Sequence, residues 1–122
     1  MANPTWSQGE VLLADLDFSD SRAGKRRPVL VVYDFGDEDL LVVPVTSHPA
    51  RCSGDVTVRH WADAGLKLPS TIRLEKFATI TKSSVLRRLG SLAPGDLAAF
   101  RMTLATICQR LCNQGERTVQ PQ

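Results

Sequence analysis

Arg27-Pro-Val-Leu-Val-Val-Tyr33 and Leu40-Leu-Val-Val-Pro-Val-Thr46 are two apolar, β-branched runs separated by the acidic turn Asp34-Phe-Gly-Asp-Glu-Asp39. Branched side chains suit a pleated surface, and the short connection containing glycine makes the two runs an antiparallel hairpin. Pro28 lacks an N–H, so it has to stand at the first position of its strand or at an edge. Antiparallel pairing across the turn sets Arg27, where the first run begins, opposite Thr46, where the second ends.

Working upstream, Glu10 to Asp17 alternates loosely and reads as a strand closed by the acidic turn over residues 17–20. Downstream, Asp55 to Arg59 alternates cleanly, and Thr71 to Glu75 and Phe77 to Thr81 supply two more short β segments. Trp61-Ala-Asp-Ala-Gly-Leu66 reads as a turn or a brief helical turn between them rather than a strand. Five or so short strands spaced by turn signals indicate a small barrel or a strongly curved sheet. After Gly90 the period changes. Pro94 and Asp96 open a helix on which Leu97, Phe100, Leu104, Ile107 and Leu111 form one stripe that must dock on the sheet, and Asn113-Gln-Gly115 is expected to end it. Cys108 and Cys112 lie one turn apart beside that stripe without the four-ligand set of a structural zinc site, and are expected to be buried thiols. The chain therefore reads as mainly β with a C-terminal helix, one domain over residues 1–115 and a polar tail over 116–122.

The 122 residues, 43% apolar and 23% charged, suit one soluble globular domain and exclude collagen, coiled-coil, disordered and membrane classes. Net charge is only +2, yet residues 40–95 hold eight basic against three acidic groups and residues 1–39 hold four against eight. The absence of a signal sequence or apolar span, and an odd set of three cysteines, lead us to expect a cytoplasmic address and no membrane partner.

Chemistry concentrates at the hairpin's open end. Residues 22–27, Arg-Ala-Gly-Lys-Arg-Arg, put four cations into six positions just before a buried strand, although the motif of a phosphate-binding P-loop is missing. Thr46, Ser47 and His48 bring two hydroxyls and an imidazole to the end of the opposing strand. Arg73 and Glu75 share one side of their segment while Ile72 and Leu74 face the core, a spacing more often found in a surface ion pair than in an acid–base couple. Asp15 and Asp17 form at most a weak metal pair, and no catalytic triad or dinucleotide fingerprint is present.

Gly9-Glu-Val-Leu-Leu-Ala-Asp15, Lys25-Arg-Arg-Pro-Val-Leu-Val-Val32, Val43-Pro-Val-Thr-Ser47 and the segment from Gly65-Leu66 to Thr79-Ile80 together resemble the MazF/PemK family of bacterial toxins, from about Gly9 to Ile107. The resemblance implies a small SH3-like barrel with a C-terminal helix, a homodimer, and a metal-independent endoribonuclease without cofactor that is neutralised by a cognate antitoxin. By position it makes Arg27 and Thr46 catalytic. It sets Arg73 and Glu75 where such toxins carry an Arg-x-Asp pair, with Glu75 longer by one methylene and His48 the other candidate base. Lys25, Arg26, Ser47, His48 and Arg73 are expected to hold single-stranded RNA. A gyrase-poisoning toxin of the same fold, or a non-catalytic RNA-binding barrel, are the competing readings. The Arg27 and Thr46 elements argue against the first, and the scarcity of aromatic residues for base stacking argues against the second.

Overall fold

In a computed structural model, residues 5–16 and 25–117 are described. The segment 17–24, which contains Asp17 and much of the basic loop, and the tail from 118 onward lie outside the described residues. Strands β1 (Glu10–Leu16), β2 (Lys25–Asp34) and β3 (Asp39–Thr46) form an antiparallel meander. β4 (Asp55–Val58) pairs β5 (Ser70–Arg73), β6 (Ala78–Thr81) pairs β3, β7 (Val85–Ser91) pairs β1, and helix α1 (Pro94–Arg117) follows. The strand order is β4-β5-β3-β2-β1-β7, so the sheet does not close into a ring, and the fold is mainly antiparallel β with one C-terminal helix.

The run Val29–Val32 is continuously apolar because both of its faces are covered. Leu30 and Val32 belong to one core with Val43, Val45, Ile72 and Leu74, onto which α1 lays Phe100 and Ile107. Val29 and Val31 alternate to the other face and pack with Leu12, Ala14, Leu40 and Val42 under Trp6, Ala78, Ile80 and Val85. Two prolines mark where partners change. β3 pairs β2 from Val29↔Pro44 outward, which leaves Pro28 with β1 on one flank and an open edge on the other. The sequence constraint on Pro28 is met there, although the strand begins three residues earlier. Pro44 lies where β3 passes from pairing with β6, ending at Val42↔Ala78, to pairing with β5, beginning at Val45↔Ile72.

Five sequence expectations are corrected. Seven strands are present, the six read from the sequence and β7, an edge strand whose adjacent Arg87 and Arg88 interrupt apolar alternation. The thiols of Cys108 and Cys112 are exposed, and so is Leu111 at 65%. The buried stripe ends at Ile107, since the helix runs past the sheet. It also continues through Asn113-Gln-Gly115 to Arg117. Finally, β5 stops at Arg73, so Glu75 sits in a turn.

Two buried carboxylates tie the elements together. Asp96, in the first turn of α1, accepts the backbone N–H groups of Arg59 (3.0 Å) and His60 (2.8 Å) and so anchors the helix start to the end of β4. Asp34 meets Lys82 at 2.9 Å, with the side chains only 7% and 5% exposed. Burial alone would raise the Asp34 carboxyl. The N–H donors of Trp6 and Gly36 and the Lys82 ammonium outweigh it and hold the group below its ordinary value.

Candidate active site

β2 enters the sheet with Lys25, Arg26 and Arg27 exposed, held from β1 through Leu16↔Lys25, Asp15↔Arg26 and Ala14↔Arg27. Across the open edge, β3 delivers Val45 and Thr46. The β2–β3 ladder ends at Val29↔Pro44, so Arg27 and Thr46 each lie two residues beyond the last pair, Thr46 pairing Thr71 of β5 instead, and the two meet only as neighbours on a common cleft wall. Thr46 Oγ1 accepts the backbone N–H of His48 at 3.2 Å. This local turn directs the hydroxyl and leaves its hydrogen free to donate outward.

Two clefts meet at this wall. The larger, about 590 Å³, is lined by Lys25, Arg26, Arg27, Pro28, Val45, Thr46, Ser47 and His48 on one side and by Leu66, Lys67, Leu68 and Ser70 on the other. The second, about 460 Å³, has an apolar floor of Leu16, Val29, Val42, Pro44, Phe77 and Ala78, with Arg73 and Lys76 at its rim. Arg27, Thr46, Val45 and His48 line both. Lys25, Arg26, Arg27, Lys67, Arg73 and Lys76 thus supply six cations, and no carboxylate is among the described lining residues. Low-dielectric walls beside charges of one sign focus the field on an anion entering the clefts.

Seven of the eight residues singled out from the sequence come together here. Glu75 does not: it faces Arg110 at 3.8 Å and accepts a contact from Cys52 Sγ at 3.7 Å, beside Phe77 and the C-terminal half of α1. Gly54 makes room for it, since a Cβ there would collide with the Glu75 side chain. Arg73 also departs from the expected Arg73–Glu75 ion pair. Its Nε lies 3.9 Å from Asp55 Oδ1, buried and without a hydrogen-bond acceptor. Lys67, Lys76 and Phe77 escaped the sequence reading. The only available signal was their closeness to Gly65-Leu66 and to Arg73-Leu-Glu75, because strand pairing rather than spacing brings them to the clefts. Among the described residues no three His, Cys, Asp or Glu gather into a metal-binding group. No described helix is long and apolar enough to cross a membrane.

No curated protein sequence matches the chain. Several solved structures share its fold. An endoribonuclease in complex with its cognate antitoxin, from a mycobacterial species, superposes with TM-score 0.69 at 20% identity over 84% of this chain and 93% of that one. The Mycobacterium tuberculosis toxin MazF-mt6 gives TM-score 0.66 at 24% identity, over 80% of this chain and 93% of that one. A further mycobacterial endoribonuclease gives 0.63 at 20%, over 81% and 86%. At these identities the likeness establishes the fold alone. Sequence carries the rest: residues 7–108 match the family model of the PemK-like, MazF-like toxin of type II toxin–antitoxin systems, which is most of the 122 residues. The chain belongs to the PemK-like, MazF-like family of type II toxins.

Proposed function

We propose that this toxin is an endoribonuclease that cuts single-stranded RNA without a metal, works as a cytoplasmic homodimer and is restrained by a cognate antitoxin. The observation that carries this reading is the wall shared by the two clefts, where Arg27 and Thr46 face a space lined by six cations and no described carboxylate. A phosphodiester can lie on that wall with its strand continuing into both clefts. The ribose 2′-oxygen attacks the adjacent phosphorus, the bond to the 5′-oxygen breaks, and a 2′,3′-cyclic phosphate and a 5′-hydroxyl result. Negative charge grows on the non-bridging oxygens, where the planar guanidinium of Arg27 offers two parallel donors. Thr46, its oxygen held by the His48 amide, donates its hydroxyl to the same phosphate.

The 2′-hydroxyl proton needs an acceptor, and the departing 5′-oxygen takes a proton from solvent water. His48 lines both clefts, whereas Glu75 is turned toward Arg110, so we assign that proton to His48. Lys25, Arg26, Lys67 and Arg73 hold the flanking phosphates. Incubating the purified chain with a long RNA, with and without EDTA, tests the reading. Cleavage with cyclic phosphate ends that EDTA leaves unchanged is expected. Intact RNA, or cleavage abolished by EDTA and recovered with magnesium, overturns it.

A further inference from the structure

The β2–β3 pair carries opposite chemistry at its two ends. At the end away from the clefts, Tyr33 is 58% exposed and Phe35 47% exposed, and their rings meet edge to face with centroids 5.3 Å apart. Two large rings in solvent, each fixing the other, are an unusual surface for a small domain. Asp37 and Glu38 are exposed beside them, and neither is in an ion pair among the described residues. The turn is built rigidly: Asp37 Oδ1 accepts the Asp39 N–H at 2.9 Å, and Asp34 accepts the Gly36 N–H at 2.7 Å. Lys82, the cation at this end, is consumed by Asp34.

Flat rings beside fixed negative charge are also the chemistry of a single nucleic-acid strand. Such a tip repels RNA and anionic membranes and attracts a cationic, partly apolar groove. The chain itself has that groove, with Lys25, Arg26 and Lys67 set against Leu66 and Leu68. Within one molecule the two cannot meet, because ten-residue β2 holds them about 30 Å apart. We propose that the Tyr33–Asp39 tip of one copy docks in the cationic cleft of another, head to tail, as a protein stand-in for RNA. The contact is heterologous and separate from any two-fold dimer. It covers the Arg27–Thr46 wall, so a high concentration of free toxin restrains its own site. That consequence rests on the ribonuclease reading; the association does not.

Sedimentation of the full chain from low to high micromolar concentration tests it. At low salt the mass should climb beyond its dilute value, and high salt should reverse the climb. The double variant Asp37→Lys, Glu38→Lys should not climb, nor should Lys25→Glu, Arg26→Glu, while mixing the two variants should restore association by pairing their complementary ends. A tip variant that associates like the parent, or a mixture that stays apart, overturns the proposal. So does a parent chain of constant mass whose tip binds an oligoarginine peptide, which would assign the tip to a foreign basic segment. In RNA cleavage, parent and tip variant should match when dilute, and only the parent should lose specific activity several-fold when concentrated. If neither cleaves RNA, the ribonuclease reading fails and the sedimentation result still decides the association.

Discussion

At Arg27, charge alone is not enough. A lysine there keeps the cation but replaces a two-pronged planar donor by a point charge, so Arg27→Lys should lose most of the cleavage rate. Arg27→Ala should lose about 3 kcal/mol of transition-state stabilisation, a hundredfold or more in turnover, with RNA binding reduced far less. Thr46→Val removes only the hydroxyl and should lower turnover with an unchanged melting curve. Single-turnover cleavage beside an RNA-binding titration checks all three, and full activity in Arg27→Ala would sink the assignment. The proton acceptor is tested by contrast. His48→Gln should cost about a hundredfold in rate, as loss of a general base does. Glu75→Gln, outside the clefts, should stay close to the parent, and the reverse pattern would return the role to Glu75.

Among the elements, the Asp34–Lys82 pair is the most exacting, because it joins the end of β2 to the 3-10 turn after β6 with both side chains almost fully covered. Asp34→Asn leaves the Lys82 ammonium buried without its counter-charge and should cost about 3–5 kcal/mol of unfolding free energy at neutral pH. The sign with pH follows from the lowered carboxyl. Its contribution is complete above the ordinary value of 3.8 and disappears as pH falls through the lower folded value. Denaturant curves at descending pH should therefore show the gap between parent and Asp34→Asn closing only in that acid range; a gap unaffected by acid would disprove the linkage. The turn after β4 makes a second test. Gly65 has φ of +81°, and a Cβ there would strike the backbone carbonyl of Leu89 in β7. Gly90 faces Ala64 at the same contact. Gly65→Ala should destabilise by about 2 kcal/mol or more through strained backbone and lost approach together, and a parent-like melting temperature would contradict this.

At the scale of the whole molecule, the open sheet gathers basic residues from β2, the Lys67 loop, β5 and the segment before β6 around one wall. An antitoxin that blocks this wall should be acidic where it binds, and its affinity should fall steeply as salt rises. Calorimetry at two ionic strengths checks it; a complex indifferent to salt, or one that leaves cleavage intact, would contradict the picture. The proposed two-fold dimer should appear in light scattering as twice the 13.4 kDa chain mass at micromolar concentration, and a monomer mass would remove it.

Much of this protein is determined locally. The antiparallel hairpin of β2 and β3, the outline of strands followed by a helix, and the gathering of Arg27 and Thr46 at one end of it were legible because side-chain alternation, turn residues and a proline without an N–H act over a few positions, whereas the register shift between Val31 and Tyr33 was not. Family membership was legible too, from four motifs in order. What depends on distant partners was not. Charges at Arg87 and Arg88 hid β7, which exists because β1 has a free edge to pair. Periodicity ran the apolar stripe on to Leu111, yet only the extent of the sheet decides where a helix stops being covered. Glu75 and Arg73, two residues apart, part company because β5 ends at Arg73, after which the turn sends one carboxylate to Arg110 while β4 offers Asp55 to the guanidinium. Lys67, Lys76 and Phe77 join the clefts through strand exchange at Pro44, a consequence of which strand pairs with which that no short window of sequence contains.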